Sequence, residues 1–216
     1  MSYDSSVTAN QAKYTPLIQS EEARYNLPEN LLLQLIDQES SFREDIISGA
    51  TKSKAGAVGI AQFMPATASE VAKALGIPEG LKNKPEMQIK MAAYKLSKDL
   101  NKYKNNPNEN ISKNARIFAY AEYNAGAGNI KKALSIAAQG GDFISCLPDE
   151  TKGYVASQLN SQSYGDAQSI EAPQIHISSS KKFFNNFNQV EEPLKNLLKL
   201  PQSSKQLMSD FLTGKG

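Results

Sequence analysis

A glutamate stands where the pattern calls for an apolar residue. In Leu-Leu-Leu-Gln-Leu-Ile-Asp-Gln-Glu-Ser-Ser-Phe at residues 31–42, Leu31, Leu32, Leu35, Ile36 and Glu39 fall on one face of a helix, while Asp37 and Gln38 point elsewhere. A carboxyl group desolvated against leucine and isoleucine is harder to ionise, so it keeps its proton near neutral pH and can serve as a general acid. That is the proton a glycosidic oxygen needs as it leaves. On position alone there is an alternative: Glu39 lies in the last turn of its helix and can bend out to water.

Three further stretches carry residue types that suit a sugar ligand. Gly-Ile-Ala-Gln-Phe-Met-Pro-Ala-Thr at 59–67 places Gln62 and Met64 just after a glycine-rich loop. Ala-Glu-Tyr-Asn-Ala-Gly-Ala-Gly at 121–128 places Tyr123 and Asn124 before a glycine turn, and Glu-Thr-Lys-Gly-Tyr-Val at 150–155 carries Tyr154. Amide and hydroxyl groups bind the N-acetyl and hydroxyl groups of a glycan, and tyrosine and Met64 give it an apolar floor. Taken singly, the first string is a loop entering a helix at Pro65 and the second a helix ending at Gly126. For Met64, packing in the core is the competing reading.

In order and approximate spacing, Glu39-Ser40 and these three strings resemble the soluble lytic transglycosylase (SLT-type) domain, a lysozyme-like family that cleaves peptidoglycan. The resemblance spans roughly residues 14–160. It implies a mainly α, lysozyme-like helical domain in which Glu39 is the only essential catalytic acid. Ser40 matches the serine that follows that acid. Ser48, Gln62, Met64, Tyr123 and Asn124 match positions lining the sugar cleft, and Tyr154 matches a tyrosine facing the acid.

The implied reaction cuts the β-1,4 bond between N-acetylmuramic acid and N-acetylglucosamine without water. The acid protonates the leaving oxygen, then takes the proton of the muramoyl 6-hydroxyl as a 1,6-anhydro ring closes. Two departures from the family pattern stand out: Glu122 replaces the usual small residue before the tyrosine, and the loop from Gly49 to Gly59 is longer than usual. A hydrolase of goose-type lysozyme character would need a second acid, for which Asp45 and Glu122 are the candidates. A non-catalytic wall-binding or structural virion protein is the remaining class.

Composition narrows the field further. Twenty-four basic against 22 acidic residues give a formal charge of +2, so nothing points to nucleic acid, and peptidoglycan glycan strands suit the balance. One cysteine, Cys146, forbids an internal disulfide. One histidine, His176, rules out the usual zinc constellations, so neither a cofactor nor a metal is expected. The first ten residues lack the features of an export signal, and no apolar run approaches the ~18 residues of a membrane span. From these follows the expectation of a phage virion protein that acts in the host wall or periplasm during genome ejection, with a secretion-apparatus subunit as the rival.

The elements that must position these residues are helices. Periodicity and end signals predict them over 11–25, from Pro28 into the 31–42 stretch with Glu29 in the first turn, and over 65–75, 85–103, 111–123 and 128–138. Residues 48–59 read as a surface loop, and no strand pair or hairpin is indicated. A catalytic domain is expected over 1–160, a Ser/Gln/Asn-rich linker over 161–180, and a small C-terminal helical appendage over 181–216 that could dock on other virion proteins.

Overall fold

Prolines and asparagines mark most helix starts in the computed structural model, which describes residues 5–139 and 142–162. In chain order the helices are α1 (Ser5–Arg24), α2 (Leu31–Ser40), α3 (Glu44–Ile47), α4 (Pro65–Ala74), α5 (Pro85–Lys104), α6 (Glu109–Lys113), α7 (Ala115–Ala137) and α8 (Asp149–Gln162), with a 3₁₀ turn at Glu79–Leu81. The fold is mainly α. Among the described residues the only sheet-like feature is an isolated antiparallel bridge between Val58 and Phe63.

Helix α5 is the axis. Ile89, Met91, Ala92, Ala93, Leu96, Leu100 and Tyr103 are all buried, and a helix apolar on so many sides must be surrounded. Its partners are α1, α2, α4, α6 and α7. Against it, α7 sets Phe118 between Tyr103 and Phe143, with ring centroids 5.3 and 4.5 Å away. Each such ring, fully buried, contributes roughly 2–3 kcal/mol.

The placement of α2 matters most for the site. Glu22 of α1 is buried, and its Oε1 accepts from the backbone N–H of Leu32 (2.7 Å) and Leu33 (3.2 Å), while its Oε2 accepts from that of Asn30 (3.2 Å). A carboxylate there satisfies orphan donors and complements the positive end of the helix. The helix therefore starts at Leu31, after Asn30 in a left-handed conformation (φ 60°), and not at Pro28 as local signals suggested. An acid from another helix replaces Glu29 in the capping role. The Tyr120 hydroxyl of α7 donates to the Leu31 carbonyl at the same end.

The segment expected as a surface loop, 48–59, is exposed from residue 50 to 55, and its far end is buried at Ala57 and Gly59. Ile60 and Ala61 just after it are buried too, and Gln88 of α5 grips this end by accepting from Ala61 N (3.1 Å) and donating to Val58 O (3.0 Å). Gly59 is required there twice over: its φ is +83°, and a Cβ would lie 2.4 Å from Gln88 Oε1.

The boundary near 111 is corrected by Asn108, whose side chain caps α6, leaving α7 to begin at Ala115. Gly126, at φ 79° and ψ 154°, breaks α7 internally, which preserves the two stretches that the sequence separates. The short α3 and the final α8 were not anticipated. Helix α8 reaches two residues into the expected linker. The rest of that linker and the appendage at 181–216 lie outside the described residues, as does His176.

Candidate active site

A cleft of about 670 Å³ opens where the C-terminal end of α2 meets the segment from Ser53 to Met64, α4, α5, the Tyr123–Ala127 bend of α7, and α8. Glu39 lines it. Leu31, Leu32, Leu35 and Ile36 are fully buried below, so the apolar stripe ends in a carboxyl group at the cleft surface.

The Tyr154 hydroxyl donates to Glu39 Oε1 at 2.8 Å. Burial pushes the Glu39 carboxyl up from 4.5 to about 7, against the stabilising Tyr154 hydrogen bond and with help from the negative charge of Glu150. Desolvation is the dominant cause, and a carboxyl group at that value exchanges its proton readily near neutral pH. Burial also raises the Tyr154 hydroxyl well above its ordinary value, so it remains a donor throughout that range.

Several expected residues join Glu39 in the cleft. Gln62 lines it with a strained φ of +47°, its Nε2 donating to Gly59 O at 2.9 Å. Met64 lines it too, and at 42% exposure it is no core residue. Tyr123 donates its hydroxyl to Ala61 O (3.1 Å) and packs its ring 5.8 Å from Phe63, with Lys95 Nζ 5.2 Å from the ring centre. Asn124 accepts from the Thr151 hydroxyl at 2.8 Å, which joins the α7 bend to the start of α8.

Ser40 and Ser48 are not part of this cleft. Ser40 is buried and its hydroxyl is engaged on both sides, donating to Ile36 O (3.1 Å) and accepting from Phe42 N (3.3 Å). It shapes the end of α2, where Ser41 and Phe42 both take positive φ and turn the chain away. Ser48 is exposed and borders a separate, smaller depression with Tyr14, Glu44 and Lys84. Ser48 lies beyond the break at Ser41, where the period of α2 no longer relates it to Glu39, while Ser40, still within α2, points about 100° away from Glu39.

Neither candidate second acid is a free carboxylate facing Glu39. Asp45 is absent from the cleft lining and pairs with Arg43 at 2.8 Å; hydrogen bonds from Thr51 and Arg43 hold its carboxyl below the usual range. Glu122 borders the cleft but is buried, its Oε2 taken by Lys102 and by the Tyr103 hydroxyl. Two exposed carboxylates share the cleft, Glu70 and Glu150, and sequence reasoning left Glu150 without a role. Its spacing to Tyr154 was the available signal, because residues four apart share a helix face. Lys98 and Glu70 also line the cleft and were likewise missed.

Among the described residues no group of three His, Cys, Asp or Glu could hold a metal ion, and no helix is long and apolar enough to cross a membrane.

The chain has counterparts among known proteins. The transglycosylase SLT domain family matches residues 16–144. Soluble lytic murein transglycosylase of Escherichia coli strain K12 is 30% identical over 159 residues, which cover 70% of this chain and 22% of that protein. Its counterpart in Salmonella typhimurium is 31% identical over 147 residues, covering 64% and 21%. The crystal structure of the 70 kDa soluble lytic transglycosylase from Escherichia coli superposes with a TM-score of 0.54 at 30% identity, over 70% of this chain and 24% of the other. A complex of the 70-kDa enzyme with bulgecin A gives a TM-score of 0.56 at 28% identity, over 74% and 26%. This chain thus spans about a fifth of the length of the curated relatives it matches.

Proposed function

Because the chain belongs to the transglycosylase SLT domain family, we propose that it is a peptidoglycan lytic transglycosylase in which Glu39 acts first as acid and then as base. The observation that carries this reading is a single half-buried carboxyl group, raised to about 7 and held by Tyr154, at the surface of a cleft of glycan-binding size. Protonated Glu39 gives its proton to the glycosidic oxygen as the bond from C1 of N-acetylmuramic acid breaks. The resulting carboxylate then takes the proton of the 6-hydroxyl while that oxygen bonds to C1. Glu39 ends protonated again and no water is consumed. Tyr154 stabilises the carboxylate in between, and Gln62, Met64, Tyr123 and Asn124 supply polar and apolar contacts to the sugar.

Product identity tests this. Mass spectrometry of an early digest of purified peptidoglycan should find muropeptides ending in 1,6-anhydro-N-acetylmuramic acid, one water lighter than hydrolysis products and unreactive to borohydride. Mainly reducing ends would assign hydrolysis and turn attention to Glu150 as the group that positions water.

The setting we propose is local wall penetration by a phage particle during genome ejection. An antibody against this domain should then detect the chain in purified virions; detection in a secretion apparatus instead would replace that setting and leave the chemistry untouched.

A further inference from the structure

Two consecutive residues of α2 hold the two ends of one residue of α8. Glu39 Oε1 accepts from the Tyr154 hydroxyl at 2.8 Å, and Gln38 Nε2 donates to the Tyr154 backbone carbonyl at 2.9 Å. Neighbours in a helix point about 100° apart, so side chains at 38 and 39 can reach the main chain and the ring tip of the same tyrosine without competing. The ring between them is buried and lies 5.9 Å from that of Tyr120. The other end of the Gln38 amide, Oε1, is buried and has no hydrogen-bond partner among the described residues, so the tie to Tyr154 is the contact that the amide makes.

We infer that Gln38 is a positioning residue: by fixing the Tyr154 main chain against α2, it sets the hydroxyl-to-carboxyl distance and thereby the proton affinity of Glu39. This rests on the proposed role of Glu39. Position 38 lies off the apolar stripe and has no place among the sugar-binding matches. Its effect runs through geometry: the hydrogen bond of 2.8 Å depends on the donor staying aligned as well as close, and weakens steeply as its angle falls below about 120°. A main-chain anchor on the same residue is the most direct way to prevent that misalignment.

The groups facing Glu39 are Tyr154 and Glu150 from α8, and Tyr120 and Tyr123 from α7. Tyr154 is the one that lowers the Glu39 value; Glu150 raises it. Losing the tyrosine hydrogen bond must therefore move the titration of Glu39 upward from about 7.

Carboxyl-carbon NMR of Glu39 in the full chain reads this directly and does not require turnover. Gln38→Met removes the donor and keeps the length, with Gln38→Ala as a second variant should the first fail to fold. Tyr154→Phe and the double variant with Gln38→Met complete a cycle. The titration midpoint is expected to rise in Gln38→Met in the same direction as in Tyr154→Phe, with no further rise in the double variant; the alkaline limb of kcat/KM should follow. An unmoved midpoint in a folded Gln38 variant overturns the inference, as does a Gln38 effect that persists unchanged without the tyrosine hydroxyl. Should Glu39→Gln retain full activity, the reading of Glu39 as the acid fails, while the titration cycle still reports whether Gln38 acts through Tyr154.

Discussion

At the scale of the residue, one carboxyl group carries two opposing demands, and its environment balances them. Apolar packing favours the protonated form, while the Tyr154 hydroxyl favours the carboxylate. Glu39→Gln keeps the shape and cannot give up a proton, so turnover should fall by at least about 10²-fold with the fold intact. The same substitution should change stability in a pH-dependent way. The folded value lies above the unfolded one, so the unfolded chain ionises first, and the contribution of Glu39 to stability is complete below 4.5 and lost as pH rises to about 7. A rise from 4.5 to about 7 corresponds to at most about 3 kcal/mol. Glu39→Gln should match the unsubstituted protein in denaturant melts at pH 4 and exceed it by up to about 3 kcal/mol at pH 8. Equal stability at both values would show that the carboxyl group is not desolvated.

At the scale of the element, α2 is short and its starting turn is built by another helix. Its ten residues could not hold a helix unaided, since isolated helices below about 12–15 residues are marginal in water. The buried Glu22 carboxylate accepts from three backbone N–H groups there. Glu22→Ala should cost about 3 kcal/mol, because each buried N–H left without a partner costs roughly 1–3 kcal/mol and relaxation recovers part of it. Glu22→Gln, which keeps one acceptor oxygen, should cost less. Urea unfolding followed by circular dichroism measures both, and a neutral Glu22→Ala would mean that water replaces the carboxylate. Turnover should fall with stability in this series, because the same turn fixes where Glu39 emerges.

At the scale of the whole molecule, the cleft draws on α2, the Ser53–Met64 segment, α4, α5, α7 and α8, and every expected site residue lies between Glu39 and Tyr154. We therefore propose that residues 1–160 suffice for activity. A chain ending after Gln168 should keep its helical circular dichroism and its turnover on peptidoglycan within about twofold, a change of less than about 0.5 kcal/mol in the barrier. Unfolding or loss of turnover on truncation would mean that later residues complete the domain.

Much of this was legible in the chain itself. The stripe from Leu31 to Glu39 fixed a helix, its buried face and the acid on it, because the 3.6-residue period relates those positions whatever surrounds them. Pro65 and Pro85 marked helix starts, and Gly126 the break before Asn129, because their backbone constraints are local. Other features depend on residues distant in sequence. Glu22 replaces the expected cap of α2 from a separate helix, and Gln88 anchors the buried end of a loop that is otherwise exposed. Ser48 lies outside the cleft because two left-handed residues redirect the chain after α2, and Ser40 because its hydroxyl turns back onto the end of its own helix. Tyr154 meets Glu39 across 115 residues, and no local period encodes that distance. The sequence by itself determined which group could hold a proton near neutral pH; the packing of α8 against α2 and α7 decided how tightly it is held, because proton affinity depends on burial and on hydrogen-bond distances that exist only once separate helices are in contact.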